Sequence, residues 1–451
     1  MKKVIFSAAL LLGAISYATA QNTNDTYQNG SGNNADVIQF GDLNDSDVDQ
    51  DGMNVPIGGL DNDAQVYQDG GANSSTISQL GDGNYSENVQ LGDVNTAIDD
   101  VGVGYAEDNT TLTLQIGDGN YSWQKQRFDN NFATTSQFGL GNTALQDQNS
   151  GPNQSDGNFA TSTQSGFLNY STQVQDGSRN YGEVVQDGLL NWADQYQEGN
   201  DNEAYIFQGD AFNEAYQTQI GNENFAISYQ NDLSSGGGNY SDQYQEGNKN
   251  SAVVDQGFFP AADNTALQGQ LGNRNEATII QAGADNFAVQ AQIGNRNVAN
   301  AFQDGTLNYS EQGQLGNRNE ADALQEGDAN YSSQIQEGNR NEASVAQDGV
   351  LNVNIQDQFG NRNSSETSQE GLLNVSLTEQ VGIDNTAEAT QVGAFNGSDV
   401  FQFGANNDSM VSQSGIGNSA DVDQFSFGSG NMDVITQIGI GNTATTLQVS
   451  P

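Results

Sequence analysis

The sequence predicts an all-β protein, a β-solenoid of about 18 two-strand coils, and three observations carry that prediction. A glutamine returns every eleven residues, without a slip from Gln303 through Gln314, Gln325 and Gln336 to Gln424. The same skeleton surrounds it each time: Gln, any residue, Gly, two variable residues, Asn, one variable residue, then Ala or Ser. Two such units make one period, because Asn-Arg-Asn recurs every 22 residues, beginning at Asn273, Asn295, Asn317, Asn339 and Asn361.

Within a unit, the stretch from Asn to the next Gln is about seven residues, a usual strand length. Gly and its two neighbours are expected to form the turn. Side chains alternate across a strand, so Asn, Ala or Ser, the fourth residue after Asn and the closing Gln share one side. That fourth position alternates between units, with Gln290, Gln312 and Gln334 separated by Ala301 and Ala323. A small, amide-rich side suits a narrow interior between two sheets. The other side carries Tyr, Glu, Asp, Thr, Leu and Phe without a rule and is expected to face solvent. Coils stacked at about 4.8 Å give a rod on the order of 85 Å long, with Gln over Gln and Asn over Asn in cross-β, amyloid-like ladders.

The frame runs from Gln28 to Gln448 and carries insertions in six places. They fall between Gln50 and Gln68, Gln90 and Gln115, Gln148 and Gln164, Gln230 and Gln245, Gln256 and Gln270, and Gln424 and Gln437. They contain Pro56, Pro152, Pro260 and the run Gly236 to Gly238, which read as loops enlarging corners without shifting the phase of the next units.

Composition sets the function classes aside. The 451 residues hold 11 basic and 58 acidic side chains, a formal charge of −47, with no histidine and no cysteine. That removes imidazole and thiolate catalysis, disulfides and the usual zinc, haem and iron-sulfur sites. It argues against nucleic acid as a partner. Composition alone would read as disordered, and the regular spacing overrides it. Residues 1–20 read as a signal peptide: Lys2 and Lys3, an apolar run from Val4 to Ala14, then Ala18-Thr19-Ala20, with cleavage between Ala20 and Gln21. A short segment, 21–27, then leads into one repeat domain, 28–451. No later stretch is apolar enough to insert in a membrane.

The paired motif Gln-x-Gly-x-x-Asn-x-Ala-x-x-x-Gln resembles the curlin repeat of the curli major subunit and its nucleator, secreted bacterial proteins that polymerise into extracellular amyloid fibres. Clear instances are Gln137 to Gln148, Gln186 to Gln197, Gln270 to Gln281 and Gln314 to Gln325. Curli subunits carry far fewer repeats. By that resemblance the amyloid-core ladder residues are Gln137, Asn142, Gln186, Asn191, Gln270, Asn275, Gln303, Asn308, Gln314, Asn319, Gln325, Asn330, Gln336 and Asn341. It implies no cofactor, a non-enzymatic structural role in adhesion and biofilm matrix, and copies of itself as partners, with a nucleator subunit and secretion accessory proteins. The first unit (Gln28, Gly30, Asn33, Ala35) and the last (Gln437, Gly439, Asn442, Ala444) both keep the skeleton. Uncapped edges of this kind are templates for head-to-tail growth.

Asp176, Asp187, Asp304, Glu326, Glu337 and Asp348 sit beside the turn glycine and are expected to act as gatekeepers that keep rods from sticking side by side. The alternative is a monomeric, calcium-stabilised or ligand-binding solenoid adhesin, suggested by the turns Gly81 to Asn84 and Gly117 to Asn120. No acidic residue recurs at a fixed turn position as calcium-binding nonapeptide repeats require. Arg274, Arg296, Arg318, Arg340 and Arg362 form a stripe that reads as a solvated corner partly offset by Glu276, Glu320 and Glu342. The Asn-Tyr-Ser tyrosines, among them Tyr309 and Tyr331, read as outer-face strand formers.

Overall fold

The computed structural model describes residues 21–51, 60–151, 156–230, 237–257 and 261–451. The leader expected over 1–20, Pro56, Pro152, Pro260 and Gly236 lie outside the described residues. Within them are 38 β-strands and no helix. Successive strands go alternately to two sheets of 19 strands, except that Ser251–Asp255 and the short Ala261–Ala262 share one sheet, and pairing within each is parallel. Tyr309 pairs with Tyr331 and Glu320 with Glu342, one coil of 22 residues ahead. Insertions widen that step to 29 between Gln39 and Gln68, 27 between Gln137 and Gln164, 26 between Gln219 and Gln245 and 25 between Gln245 and Gln270, and the 22-residue step returns beyond them, as from Gln164 to Gln186 and from Gln270 to Gln292. The protein is a β-solenoid of about 18 turns.

Strand ends differ from the seven-residue expectation. Tyr309–Asn317 and Glu320–Asp328 are nine residues long and run through the glycine to the residue after it. The glycine bends the strand at φ 125° in Gly316, and the chain reverses at the next two residues, with Arg318 at φ 59°. Corners of this kind place the residue just before Asn in the left-handed region, and 29 non-glycine residues in all adopt it among the described residues. Each costs roughly 1–2 kcal/mol. The cost is tolerated because the backbone there is pinned: the Arg318 N–H donates to the Asn295 carbonyl at 3.0 Å and the Arg340 N–H to that of Asn317 at 3.0 Å. One insertion also departs from expectation. The extra residues between Gln90 and Gln115 lie inside the long strand Thr96–Glu107, where pairing jumps from Gln79–Val101 to Gly81–Ala106.

The interior is thin and mostly amide. Ala277, Ile279, Gln281, Ala299, Ala301 and Gln303 are buried on one sheet, and Ala288, Gln290, Gln292, Ser310, Gln312 and Gln314 on the other. The alternating position therefore sorts by sheet, giving one sheet a second glutamine column and the other a column of aliphatics. Apolar clusters such as Val254, Ala266, Ile279, Ala288 and Ala301 are small. On the outer side aromatic rings stack at the coil spacing, Phe287 on Tyr309 at 5.2 Å and Tyr309 on Tyr331 at 5.0 Å.

The corner glycine is fixed by close approach. A Cβ on Gly305, at φ 130°, would lie 1.9 Å from the Gly327 carbonyl oxygen of the next coil. A Cβ on Gly313, mid-strand between Ala291 and Ile335, would meet nothing within 4 Å. Gly305→Ala is expected to destabilise the chain by about 3 kcal/mol or more. Gly313→Ala is expected to stabilise it by about 0.5–1 kcal/mol. Guanidinium unfolding of the two variants side by side checks both signs.

Candidate functional site

Each closing glutamine makes two kinds of bond. Gln303 Nε2 donates to Gln325 Oε1 at 2.8 Å, Gln325 to Gln347 at 2.9 Å and Gln347 to Gln369 at 2.8 Å, one coil to the next. The same nitrogen donates across the interior to a backbone carbonyl of the facing sheet: Gln303 to Phe287 at 3.1 Å, Gln325 to Tyr309 at 2.9 Å. Both amide protons are used, one to stack coils and one to clamp the sheets. The second column does likewise, Gln312 Nε2 donating to Gln334 Oε1 at 2.8 Å and to the Asn300 carbonyl at 2.9 Å.

Asparagines hold the corners. Asn308 Oδ1 accepts from the Asn330 backbone N–H at 3.0 Å, and Asn308 Nδ2 donates to the Gly327 carbonyl at 2.8 Å, capping the glycine bend of the next coil. The ladder residues named from the sequence all occupy these places. Gln137, Asn142, Gln186, Asn191, Gln270, Asn275, Gln303, Asn308, Gln314, Asn319, Gln325, Asn330, Gln336 and Asn341 are each at most 2% exposed. The cross-sheet bonds are not visible in the sequence, because periodicity aligns like residues and says nothing about the facing strand.

The ladders have a direction, so the two ends differ. Gln28 Nε2 donates inward to Gln50 Oε1, leaving the Gln28 carbonyl oxygen as an acceptor at the first coil. In the last coil Gln437 and Gln448 accept from Gln413 and Gln424 and spend one proton each on the Ser419 and Met432 carbonyls. Their second protons face outward. The corner ladder is reversed: the Asn442 backbone N–H donates to Asn418 Oδ1, and Asn442 presents its own Oδ1 outward. The outermost strands Thr23–Asn29 and Thr443–Ser450 each pair on one side. Ile438 and Ile440 in the last coil are both 78% exposed.

The acidic positions lie outside. Asp176, Asp187, Asp304, Glu326, Glu337 and Asp348 are exposed. Asp304, Glu326, Asp348 and Glu370 stand directly over one another in register. The carboxylates of the Asp-rich turns are engaged by backbone: Asp82 Oδ1 accepts from the Leu60 N–H at 2.8 Å and Asp118 Oδ1 from that of Asp93 at 2.9 Å. Among the described residues no group of three or more acidic side chains is placed to hold a metal, and no helix is long and apolar enough to cross a membrane. The arginine stripe departs from expectation. Glu276, Glu320 and Glu342 form no ion pair with it, since they begin the following strand while the arginines occupy the reversal itself. Tyr309 and Tyr331 sit half-buried on the outer face.

One coil breaks the ladders. Val101 takes the closing-glutamine place below Gln126, and Asp99 the second-glutamine place below Gln124. Both Gln126 Oε1 and Gln124 Oε1 consequently lack a donor, and both carboxyl oxygens of Asp99 are buried without a hydrogen-bond partner. Burial pushes the Asp99 carboxyl up to about 8, with Thr111 and Asn88 beside it opposing that rise. The sequence carries the signal as a missing glutamine between Gln90 and Gln115. Above pH 3.8 the unfolded chain releases this proton while the folded chain keeps it, so this group's contribution to stability falls with rising pH until about 8. The slope is at most about 1.4 kcal/mol per pH unit. Asp99→Asn should flatten it, and Val101→Gln should restore the missing rung. Hydrogen-exchange protection of the amides from Thr96 to Val101, compared at pH 5 and pH 8, reads both effects.

The curlin associated repeat family matches the chain at residues 21–52, 59–87, 177–209, 316–349, 382–415 and 396–425. No curated protein shows a significant match. The matched stretches start near the first coil, recur through the middle and reach the last coils, and each covers the Gln, Gly and Asn positions whose bonds build the ladders. The chain carries curlin associated repeats at six places along its length, as a protein built of many such repeats does.

Proposed function

We propose that this curli-type structural protein is secreted, assembles head to tail, and forms extracellular amyloid fibres that serve surface adhesion and a biofilm matrix. The observation that carries the reading is the complementarity of the two ends. The last coil offers glutamine amide protons and asparagine oxygens, and the first coil offers a glutamine oxygen and backbone N–H groups. A second copy placed end to end continues these ladders, whereas two last coils set glutamine donor against donor and two first coils set glutamine acceptor against acceptor. Strand edges without a covering element template this addition. A nucleator subunit would present the same kind of edge, and secretion accessory proteins would act on the chain before it stacks.

The stacked acidic row at Asp304, Glu326 and Asp348 supports the gatekeeper role, since two rods meeting along that row face like charges at every rung. Protonation or salt removes the penalty.

Electron microscopy of the chain from Gln21 to Pro451 over time should show unbranched fibres, and chelator-treated protein should form them equally, which a calcium-stabilised monomer would not. Gln437→Glu with Gln448→Glu removes the outward donors and should slow elongation at least tenfold. Unchanged elongation would overturn end-to-end growth. Assembly should also quicken as pH falls or salt rises, and flat kinetics would remove the gatekeeper role.

A further inference from the structure

The chain carries nine basic residues after Gln21, and seven of them lie on one corner row: Arg179, then six in consecutive coils, Lys249, Arg274, Arg296, Arg318, Arg340 and Arg362. Where a carboxylate occupies the neighbouring coil of that row, an ion pair forms. Lys249 meets Glu223 at 3.0 Å, Arg362 meets Asp384 at 2.6 Å, and farther along Arg179 meets Asp201 at 2.6 Å. Arg274, Arg296, Arg318 and Arg340 have only like charges beside them on the row and make no ion pair among the described residues. All four are exposed, and all four share φ 59°. Their backbones are tied to the preceding coil at 3.0 Å, so the side chains leave the rod as an evenly spaced row.

Beside them runs an exposed asparagine ladder. Asn273 Nδ2 donates to Asn295 Oδ1 at 3.0 Å, Asn295 to Asn317 at 2.9 Å, Asn317 to Asn339 at 2.9 Å and Asn339 to Asn361 at 3.0 Å. Each amide keeps a second proton for an outside acceptor. Arginines and asparagines together line a groove of about 840 Å³, with Ile383 following Asn361 at the end of the asparagine column.

We infer that this groove binds a linear acidic polysaccharide, a chain of uronate sugars. The guanidiniums take the carboxylates in bidentate pairs and the asparagine amides take ring hydroxyls. Rungs about 4.8 Å apart match an extended sugar chain that brings one carboxylate per ring. Duplex DNA presents a charge every ~1.7 Å of axis on strands that wind away from a straight row. Single-stranded nucleic acid is held by aromatic platforms, and no aromatic residue lines this groove. The site belongs to the single rod and does not depend on polymerisation.

The test uses the soluble chain from Gln21 to Pro451 before fibres form, with a fluorescent oligo-alginate as probe and dextran and oligo(dT) as controls. Wild type should bind the alginate in a salt-sensitive manner and ignore dextran. Arg296→Gln with Arg318→Gln should weaken binding at least tenfold with an unchanged β-sheet circular dichroism spectrum. Arg296→Lys with Arg318→Lys, which keeps charge and loses the fork, should fall between. Alginate binding unaffected by the Gln pair would overturn the site. Tighter binding of oligo(dT) than of alginate would make it a nucleic-acid groove instead. No alginate binding at low salt, with sideways association of rods lost in the Gln pair, would assign the groove to the Asp304–Glu370 row of a second copy.

Discussion

A carboxamide that spends one proton along the stack and the other across it is the constraint on which this molecule rests. A hydrophobic core is non-directional and tolerates slippage. An amide column does not, because a shift of one residue would set Gln281, Gln303 and Gln325 outside and bring charged neighbours such as Asp304 and Glu326 in. Each bond contributes only about 1 kcal/mol net, yet removing one glutamine strands its partners above, below and opposite in a dry interior. Cooperativity therefore comes from the cost of leaving groups unmade more than from the gain of making them.

That logic explains how so little apolar surface suffices. The aliphatic column at Ile279, Ala301, Ala323 and Val345 fills space on one sheet while Gln290, Gln312, Gln334 and Gln356 fill it on the other, so each layer sets an amide against a methyl group. Near the ends the second glutamine column gives way to Val48 and Ile77 at one side and Val400 and Val422 at the other, where apolar clusters close the interior. Serines at the Ala position, among them Ser310 and Ser332, bury hydroxyls without a partner, a cost that shows this column is chosen for size.

Much of the fold was legible because identical residues meet at identical places: the eleven-residue frame set the strand, the Asn-Arg-Asn spacing set the coil, and the alternating fourth position showed that insertions leave the phase of the following units unchanged. The corner was not. A sequence shows glycine where the chain bends, but Arg318, Leu307 and Phe395 are not residues that announce a left-handed conformation, and the neighbouring coil's carbonyl holds them there. The unpaired state of Arg274 to Arg340 was hidden for the same reason. Glu276 and Glu320 come two residues after an arginine, close in sequence and beyond ion-pair reach once the reversal lies between them.

Stacking also governs what the outside can be. Any residue type repeated at one outer position is brought against itself at every rung, about 4.8 Å apart. For aromatic rings the result is a favourable stack, as in Phe132, Phe159 and Tyr181 at 4.8 and 5.0 Å. For charge it is repulsion, which the chain avoids over most of its length by varying outer residues: the column Val289, Glu311, Ser333, Ile355 changes character at each step. A lawless outer face is thus the expected companion of a strictly repeated inner one. Against that background the acidic row at Asp304 to Glu370 and the basic row at Arg274 to Arg340 are two places where like charge is kept in register over four consecutive coils, on different corners of the same rod.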